Sequence, residues 1–141
     1  AEQFAPNLRK ALLHQRIDFE ARHDALTGLA NRSVLLERLT DILKRNEPAA
    51  AVFIDLDRFK PVNDLFGHGA GDEVLRQVCT RVSNMLSRDI RFGRVGGDEF
   101  VIVFPDTPIE LATLMCRGII ETIGTRPYRV ADKAFHVRGS I

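Results

Sequence analysis

The chain predicts an α+β fold, a central mixed β-sheet flanked by helices, and three observations carry that expectation. A continuous apolar run over residues 49–54 leads straight into two acids, Asp55 and Asp57. Two further apolar runs, 90–95 and 99–104, face each other across Gly96-Gly97 as the arms of a hairpin. Around them the apolar residues fall at helical spacing, so the elements read strand, helix, strand, strand, helix, strand. The 141 residues suit one domain able to bury a core, and 45% hydrophobic with 28% charged residues is an ordinary globular balance. A formal net charge of +1 gives no sign of a dominant nucleic-acid or membrane surface. No apolar run approaches the length of a membrane span, and the N-terminus lacks the pattern of a signal peptide.

The elements follow in order. Residues 2–23 read as a helix, with Phe4, Leu8, Leu12, Leu13, Ile17 and Phe19 near a helical repeat and Pro6 tolerated in its first turn. Two readings stay open for it: a connecting or coiled-coil helix ahead of the domain, or a helix packed on its own domain. The stretch Asp24-Ala25-Leu26-Thr27-Gly28-Leu29-Ala30 then breaks the pattern. Asn31 N-caps a helix to about residue 46, with Val34, Leu35, Leu39, Ile42 and Leu43 as its buried face. Pro48 ends it, and 49–54 reads as a strand buried on both faces. That strand delivers Asp55 and Asp57 to its C-terminal end, where ligand sites of α/β sheets gather. After a loop, 71–86 forms a helix with Val74, Leu75, Val78, Cys79, Val82 and Met85 inward. Beyond the hairpin, Pro108 opens a helix to about residue 123, and 126–130 and 134–140 read as the last strands. Cys79 and Cys116 lie in apolar helical patterns without metal-ligand neighbours, and read as buried thiols of a reduced, cytosolic domain. Ile141 falls within an apparent strand, so the domain is expected to continue past it.

Three clusters point to chemistry. In the first, Asp55-Leu56-Asp57-Arg58-Phe59-Lys60, a strand-end carboxylate is followed by a lysine, as a metal and phosphate would require. A solvated acidic turn is the bland alternative. In the second, Gly67-His68-Gly69-Ala70-Gly71-Asp72, the glycines suit a loop lying close to a ligand, with Asp72 either facing it or capping a helix. His68 has no second His or Cys at ligand spacing and reads as structural. The third is the hairpin, where Gly96 and Gly97 tolerate positive φ or close approach and Asp98 and Glu99 follow at once. If the strands are neighbours, Asp55, Asp98 and Glu99 converge, and three carboxylates repel one another unless a cation sits among them.

These motifs, with Asn63-Asp64 after the first, stand in the order found in GGDEF-domain diguanylate cyclases, and the chain from Asp24 onward resembles that family. The resemblance implies a ferredoxin-like, polymerase-palm-like βαββαβ core of nucleotide cyclase type. It implies a connecting helix over 1–23 and a GGDEF domain over 24–141, apparently truncated. Asp55 and Asp98 would hold Mg2+, with Mn2+ as an alternative, together with the Leu56 carbonyl, and Glu99 would assist at the metal. Asp98 would also help to activate a 3′-hydroxyl, with Glu99 and Lys60 completing the catalytic set. Lys60 and the backbone N–H groups of Arg58 and Phe59 would hold phosphates, Gly96 and Gly97 would admit the nucleotide, and Asn63 and Asp72 would read guanine. Two GTP would condense into cyclic di-GMP with loss of pyrophosphate, across a homodimer, because each domain holds one GTP. The implied setting is cytoplasmic, in a parent that is itself free to be membrane-anchored. No nucleic-acid or membrane contact by this domain is expected, and sensory and phosphodiesterase domains fit before and after it. Two rival readings are a non-catalytic GTP-binding module regulating a neighbouring domain, and a dimerisation element of a larger sensor.

One departure from the family is explicit. Many members carry an Arg-x-x-Asp product-binding site just before the signature, and here those two positions are Ser87 and Ile90, with neither guanidinium nor carboxylate. Titration with cyclic di-GMP in a calorimeter is therefore expected to show no tight binding at this place. Tight binding that is lost on altering Arg88 or Arg91 would overturn the expectation.

Overall fold

The computed structural model describes residues 4–141, as five helices and six strands. Strand β1 (Ala49–Asp57) lies at the centre of a four-stranded sheet with β2 (Arg91–Arg94), β3 (Glu99–Pro105) and β6 (Arg138–Ser140), in the order β2-β3-β1-β6. The expected α+β sandwich is present, with one correction: every ladder of this sheet is antiparallel rather than mixed. β1 and β2 do run the same way, since each opposes β3, but β3 lies between them and they never pair. The isolated bridge from Ala30 to Gly93 is the one parallel contact among the described residues.

Alternation along the strands builds two cores. On one face Ile54, Leu56, Phe100, Ile102 and Phe104 join α4 (His68–Ser83) and α5 (Ile109–Gly124) through Val74, Leu75, Val78, Val82, Ile119 and Ile123. On the other, Leu35 and Ile42 of α2 (Arg32–Lys44) cover Val101 and Val103 of β3. That helix does not reach β1, so the expectation of a strand buried on both faces fails: Phe53 is 69% exposed. Leu43, expected inside, is 77% exposed, because it lies off the Leu35–Ile42 stripe. Asn31 caps α2 as expected, its side chain accepting from the Val34 N–H at 3.1 Å.

Between β1 and α4 the expected loop is a helix, α3 (Phe59–Phe66), held by buried Phe59 and Val62 at i,i+3 spacing. Only Gly67, at φ 87°, separates it from α4, which starts three residues earlier than expected and ends at Ser83. Met85 therefore falls beyond the helix and is 41% exposed. Cys79 is buried, and burial pushes its thiol up to about 12, whereas Cys116 is only half-buried. The single last strand expected over 134–140 is two: β5 (Lys133–Phe135) pairs with β4 (Tyr128–Val130) in a separate hairpin, and β6 joins β1. Arg81 anchors that hairpin, stacking on Tyr128 and donating to the carbonyls of Arg126 and Pro127.

Helix α1 (Phe4–Arg22) stands apart; the start expected at Glu2 lies outside the described residues. Leu8, Leu12, Leu13, Ile17 and Phe19 are each more than half exposed, so its apolar residues do not pack on this domain. Its end is tied by the Arg22–Glu37 ion pair at 3.1 Å. None of the described helices is long and apolar enough to cross a membrane.

Gly93 shows how tightly β2 is seated. A Cβ there would lie 2.5 Å from Leu35 Cδ1 and 2.7 Å from the Ala30 carbonyl oxygen. Gly93→Ala is expected to destabilise the domain by about 1–3 kcal/mol, read from the midpoint of urea unfolding, since overpacking displaces backbone as well as side chain. An unchanged midpoint would refute this account of the β2–α2 contact.

Candidate functional site

The β1–β3 register decides where the acids meet. Asp55 pairs with Glu99 at the end of the ladder, and the Leu56 N–H continues it by donating to the Asp98 carbonyl at 3.2 Å. The backbones of Asp55, Asp98 and Glu99 thus converge as the sequence suggested. Their side chains do not all point together. Burial and the neighbouring Asp55 raise the Asp98 carboxyl above its ordinary range, so these two carboxylates feel each other. The Glu99 carboxylate instead folds over Gly96, its Oε2 only 2.9 Å from where a Cβ would stand. Among the described residues no three His, Cys, Asp or Glu gather closely enough to hold a metal by themselves, which corrects the three-carboxylate cluster. Asp98 lies in the turn before β3, whereas Glu99 is the first residue of the strand.

The remaining donor set, two carboxylates with the Leu56 carbonyl nearby, fits a hard divalent cation that takes its other oxygens from phosphate and water. The raised Asp98 carboxyl supports the fit, because a cation would relieve the strain that burial and Asp55 impose.

The hairpin glycines, Gly96 and Gly97, do not supply positive φ, one of the two uses expected of them. Gly96 makes room for Glu99, and a Cβ on Gly97 would meet nothing within 4 Å, leaving that backbone open to approach. Backbone strain sits elsewhere, at Arg58, which is left-handed (φ 62°, ψ 20°) and has no special side chain to excuse it. Arg58 occupies the N-cap position of α3 but its side chain makes no cap, so the first N–H groups of α3 stay free beside the end of β1. Lys60 is exposed in the same turn, while Phe59 is buried and anchors it. Asp57 accepts a hydrogen bond from Ser140 Oγ at 2.6 Å and is thereby committed to the β6 edge.

Asn63 and Asp72 lie on the two helices that Gly67 joins. Gly71, next to Asp72, is buried, and a Cβ on it would stand 1.7 Å from Asn63 Oδ1, so only glycine admits this Asn63 rotamer. Asn63 Oδ1 is itself buried without a hydrogen-bond partner. An orphaned buried acceptor of this kind costs about 1–3 kcal/mol and awaits a donor. Because α4 begins at His68, Asp72 lies past its first turn and caps nothing, which removes the structural alternative raised for it.

Sequence reasoning missed Arg94 and Asp24 as site residues. Arg94 Nη1 reaches both Asp24 oxygens at 3.2 Å, and Nε and Nη2 donate to the Gly97 carbonyl at 3.1 and 2.9 Å. Their separation of 70 positions hides the pair from any spacing rule.

A family model described as "Diguanylate cyclase, GGDEF domain" matches residues 21–141. The probable diguanylate cyclase DgcE of Escherichia coli is 41% identical over 113 residues, covering 77% of this chain and 10% of the relative. The response regulator PleD of Caulobacter vibrioides is also 41% identical over 113 residues, covering 77% of this chain and 25% of PleD. The chain therefore spans a tenth to a quarter of the length of these curated relatives. The crystal structure of diguanylate cyclase SiaD with its activator SiaC, from Pseudomonas aeruginosa, superposes with a TM-score of 0.81 at 31% identity. It covers 99% of this chain and 54% of that one.

Asp98→Asn removes the charge that burial and Asp55 disfavour while keeping the shape. In metal-free buffer at neutral pH, the variant is expected to melt no lower than the parent, and somewhat higher. A clearly lower melting temperature would show that the Asp98 charge is favourably paired and would undo the site as drawn.

Proposed function

The chain belongs to the GGDEF-domain diguanylate cyclase family, and from that premise we propose that it condenses two GTP into cyclic di-GMP, releasing two pyrophosphates. The observation that carries the reading is the seating of Asp98 beside Asp55, on the strand that leads into the uncapped N-terminus of α3. The triphosphate lies along that end: N–H groups at Arg58 and Phe59 donate to its oxygens, and the Lys60 ammonium neutralises further charge. Gly97, with open space over its backbone, lets the phosphates approach the hairpin. Asn63 Oδ1 gains a donor from guanine, and Asp72 accepts from N1–H and N2–H2 together. Adenine offers an acceptor where guanine offers N1–H, so the same groups reject it.

A divalent cation, Mg2+ or Mn2+, held by Asp55, Asp98 and the Leu56 carbonyl, would supply positive charge against the α-phosphate. Asp98 takes the proton of the attacking 3′-hydroxyl as its oxygen bonds to the α-phosphorus of the other GTP, and the α–β anhydride breaks. Glu99 assists from the hairpin. The same exchange in the opposite sense closes the ring, so two domains must face each other. Helix α1, with its exposed Leu8, Leu12, Leu13, Ile17 and Phe19, is suited to bring the second copy. We place the chemistry in the cytoplasm, where GTP is found, in a parent that holds further domains.

The test uses the longer protein that carries this chain. With GTP and Mg2+, chromatography is expected to show cyclic di-GMP and pyrophosphate in a 1:2 ratio, and Asp98→Ala to lower the rate at least about a hundredfold. A folded dimer that binds GTP and makes no product would instead be the regulatory module. Retained turnover in Asp98→Ala would remove Asp98 from the mechanism.

A further inference from the structure

We infer that Arg94 is a positioning residue that locks the signature hairpin to the exit of helix α1 through Asp24, so that the hold on Asp98 depends on how α1 leaves the domain. Arg94 is the last residue of β2, and the Arg94 and Asp24 side chains are 17% and 20% exposed. One edge of its guanidinium grips the Asp24 carboxylate, and the other edge holds the carbonyl of Gly97, the residue before Asp98. The Arg94 N–H donates to the Ala30 carbonyl, which fixes the strand end from which the fork reaches out.

Asp24 is equally constrained. It follows α1 by two residues, and its carboxylate accepts from the Thr27 N–H at 2.9 Å and Thr27 Oγ1 at 2.7 Å. Its backbone N–H donates to the Leu29 carbonyl, and its carbonyl accepts from Gly28. Burial opposes its charge, yet Thr27 and Arg94 together hold its carboxyl below the ordinary range. A bidentate, half-buried guanidinium between two fixed groups is a stiff link, and lysine cannot span both.

The hairpin needs such a link. Outside the strand ladders, the other backbone ties of residues 95–98 among the described residues are Val95 and Gly96 N–H to the Glu99 carbonyl and Leu56 N–H to the Asp98 carbonyl. None of these fixes the Gly97 carbonyl. Reacting groups displaced by about 1 Å lose on the order of a hundredfold in rate, so a hairpin freed at Gly97 keeps its fold and loses its aim.

The kinetic part of the test rests on the cyclase reading; the exchange part does not. In ligand-free Arg94→Lys, amide hydrogen exchange is expected to quicken over residues 95–99 while α4 stays as protected as in the parent. In turnover, kcat should fall about a hundredfold with KM for GTP within about threefold, and Asp24→Asn should lose less. Asp24→Ala and Arg94→Ala combined should cost less than their sum, as residues sharing one contact do. Unchanged exchange at the hairpin, or a loss confined to melting temperature, would overturn the inference. If the parent makes no cyclic di-GMP, the cyclase reading fails alone and hydrogen exchange still decides whether the clamp exists.

Discussion

The antiparallel ladder between β1 and β3, running from the Ala49–Pro105 pair to the Asp55–Glu99 pair, is the constraint to which the rest of the molecule answers. Its register is held from the side remote from chemistry. Ile54, Leu56, Phe100, Ile102 and Phe104 all face the helix-covered core, and burying each contributes about 1.5–3 kcal/mol. A slip by one residue would turn every one of them outward and carry Asp55 and Glu99 into the core. Apolar packing therefore fixes the distance between acids that would otherwise separate. The repulsion between Asp55 and Asp98 is offset by side chains buried in the helix-covered core.

Several unfavourable features of this domain lie close together. Arg58 is left-handed, α3 begins without a side-chain cap, Asn63 Oδ1 is buried and unpaired, and the Asp98 carboxyl is raised. All four sit around the C-terminal end of β1. Away from that end Asn31 caps α2, Asn46 takes the left-handed turn after it, and the buried Tyr128 hydroxyl donates to the Ile123 carbonyl at 2.7 Å, although Ala131 is also left-handed and Arg38 Nε is also buried without a partner. A left-handed residue, an orphaned acceptor and a disfavoured carboxylate gathered at one strand end are what binding a ligand leaves behind in a sequence.

The strands that carry the acids were readable because β1, β2 and β3 announce themselves by apolar runs and the Gly-Gly turn. The convergence of Asp55 with the hairpin followed from pairing those runs. What stayed hidden depends on contacts across the chain. Helix α3 is too short for a periodicity to emerge, and Pro61 in it reads as a breaker although it lies in the first turn, where proline is tolerated. β5 and β6 are divided at His136 and Val137, with Val137 buried in the core, which no local pattern encodes. Phe53 looked buried because it stands among alanine, valine and isoleucine, and only the reach of α2 decides otherwise. The parting of the Glu99 carboxylate from Asp98 depends on the turn between β2 and β3, where Asp98 lies outside either strand and Glu99 folds over Gly96.

Gly67 joins the two helices at a single residue, and this makes α3 a ruler. Under the proposed reading its N-terminus meets phosphate and its far end, with the start of α4, meets the base. Eight residues rising about 1.5 Å each span roughly 12 Å, which is of the order of the length from a nucleoside's base to its phosphates. Deleting one residue from α3 would shorten that span little but rotate everything beyond the deletion by about 100°. Asn63 would swing away from Gly71, and the triphosphate would still find its amides. A molecule measured in this way tolerates change in how firmly it grips a phosphate far better than change in helix length, so substitutions, rather than insertions, are the open route to altered base selectivity.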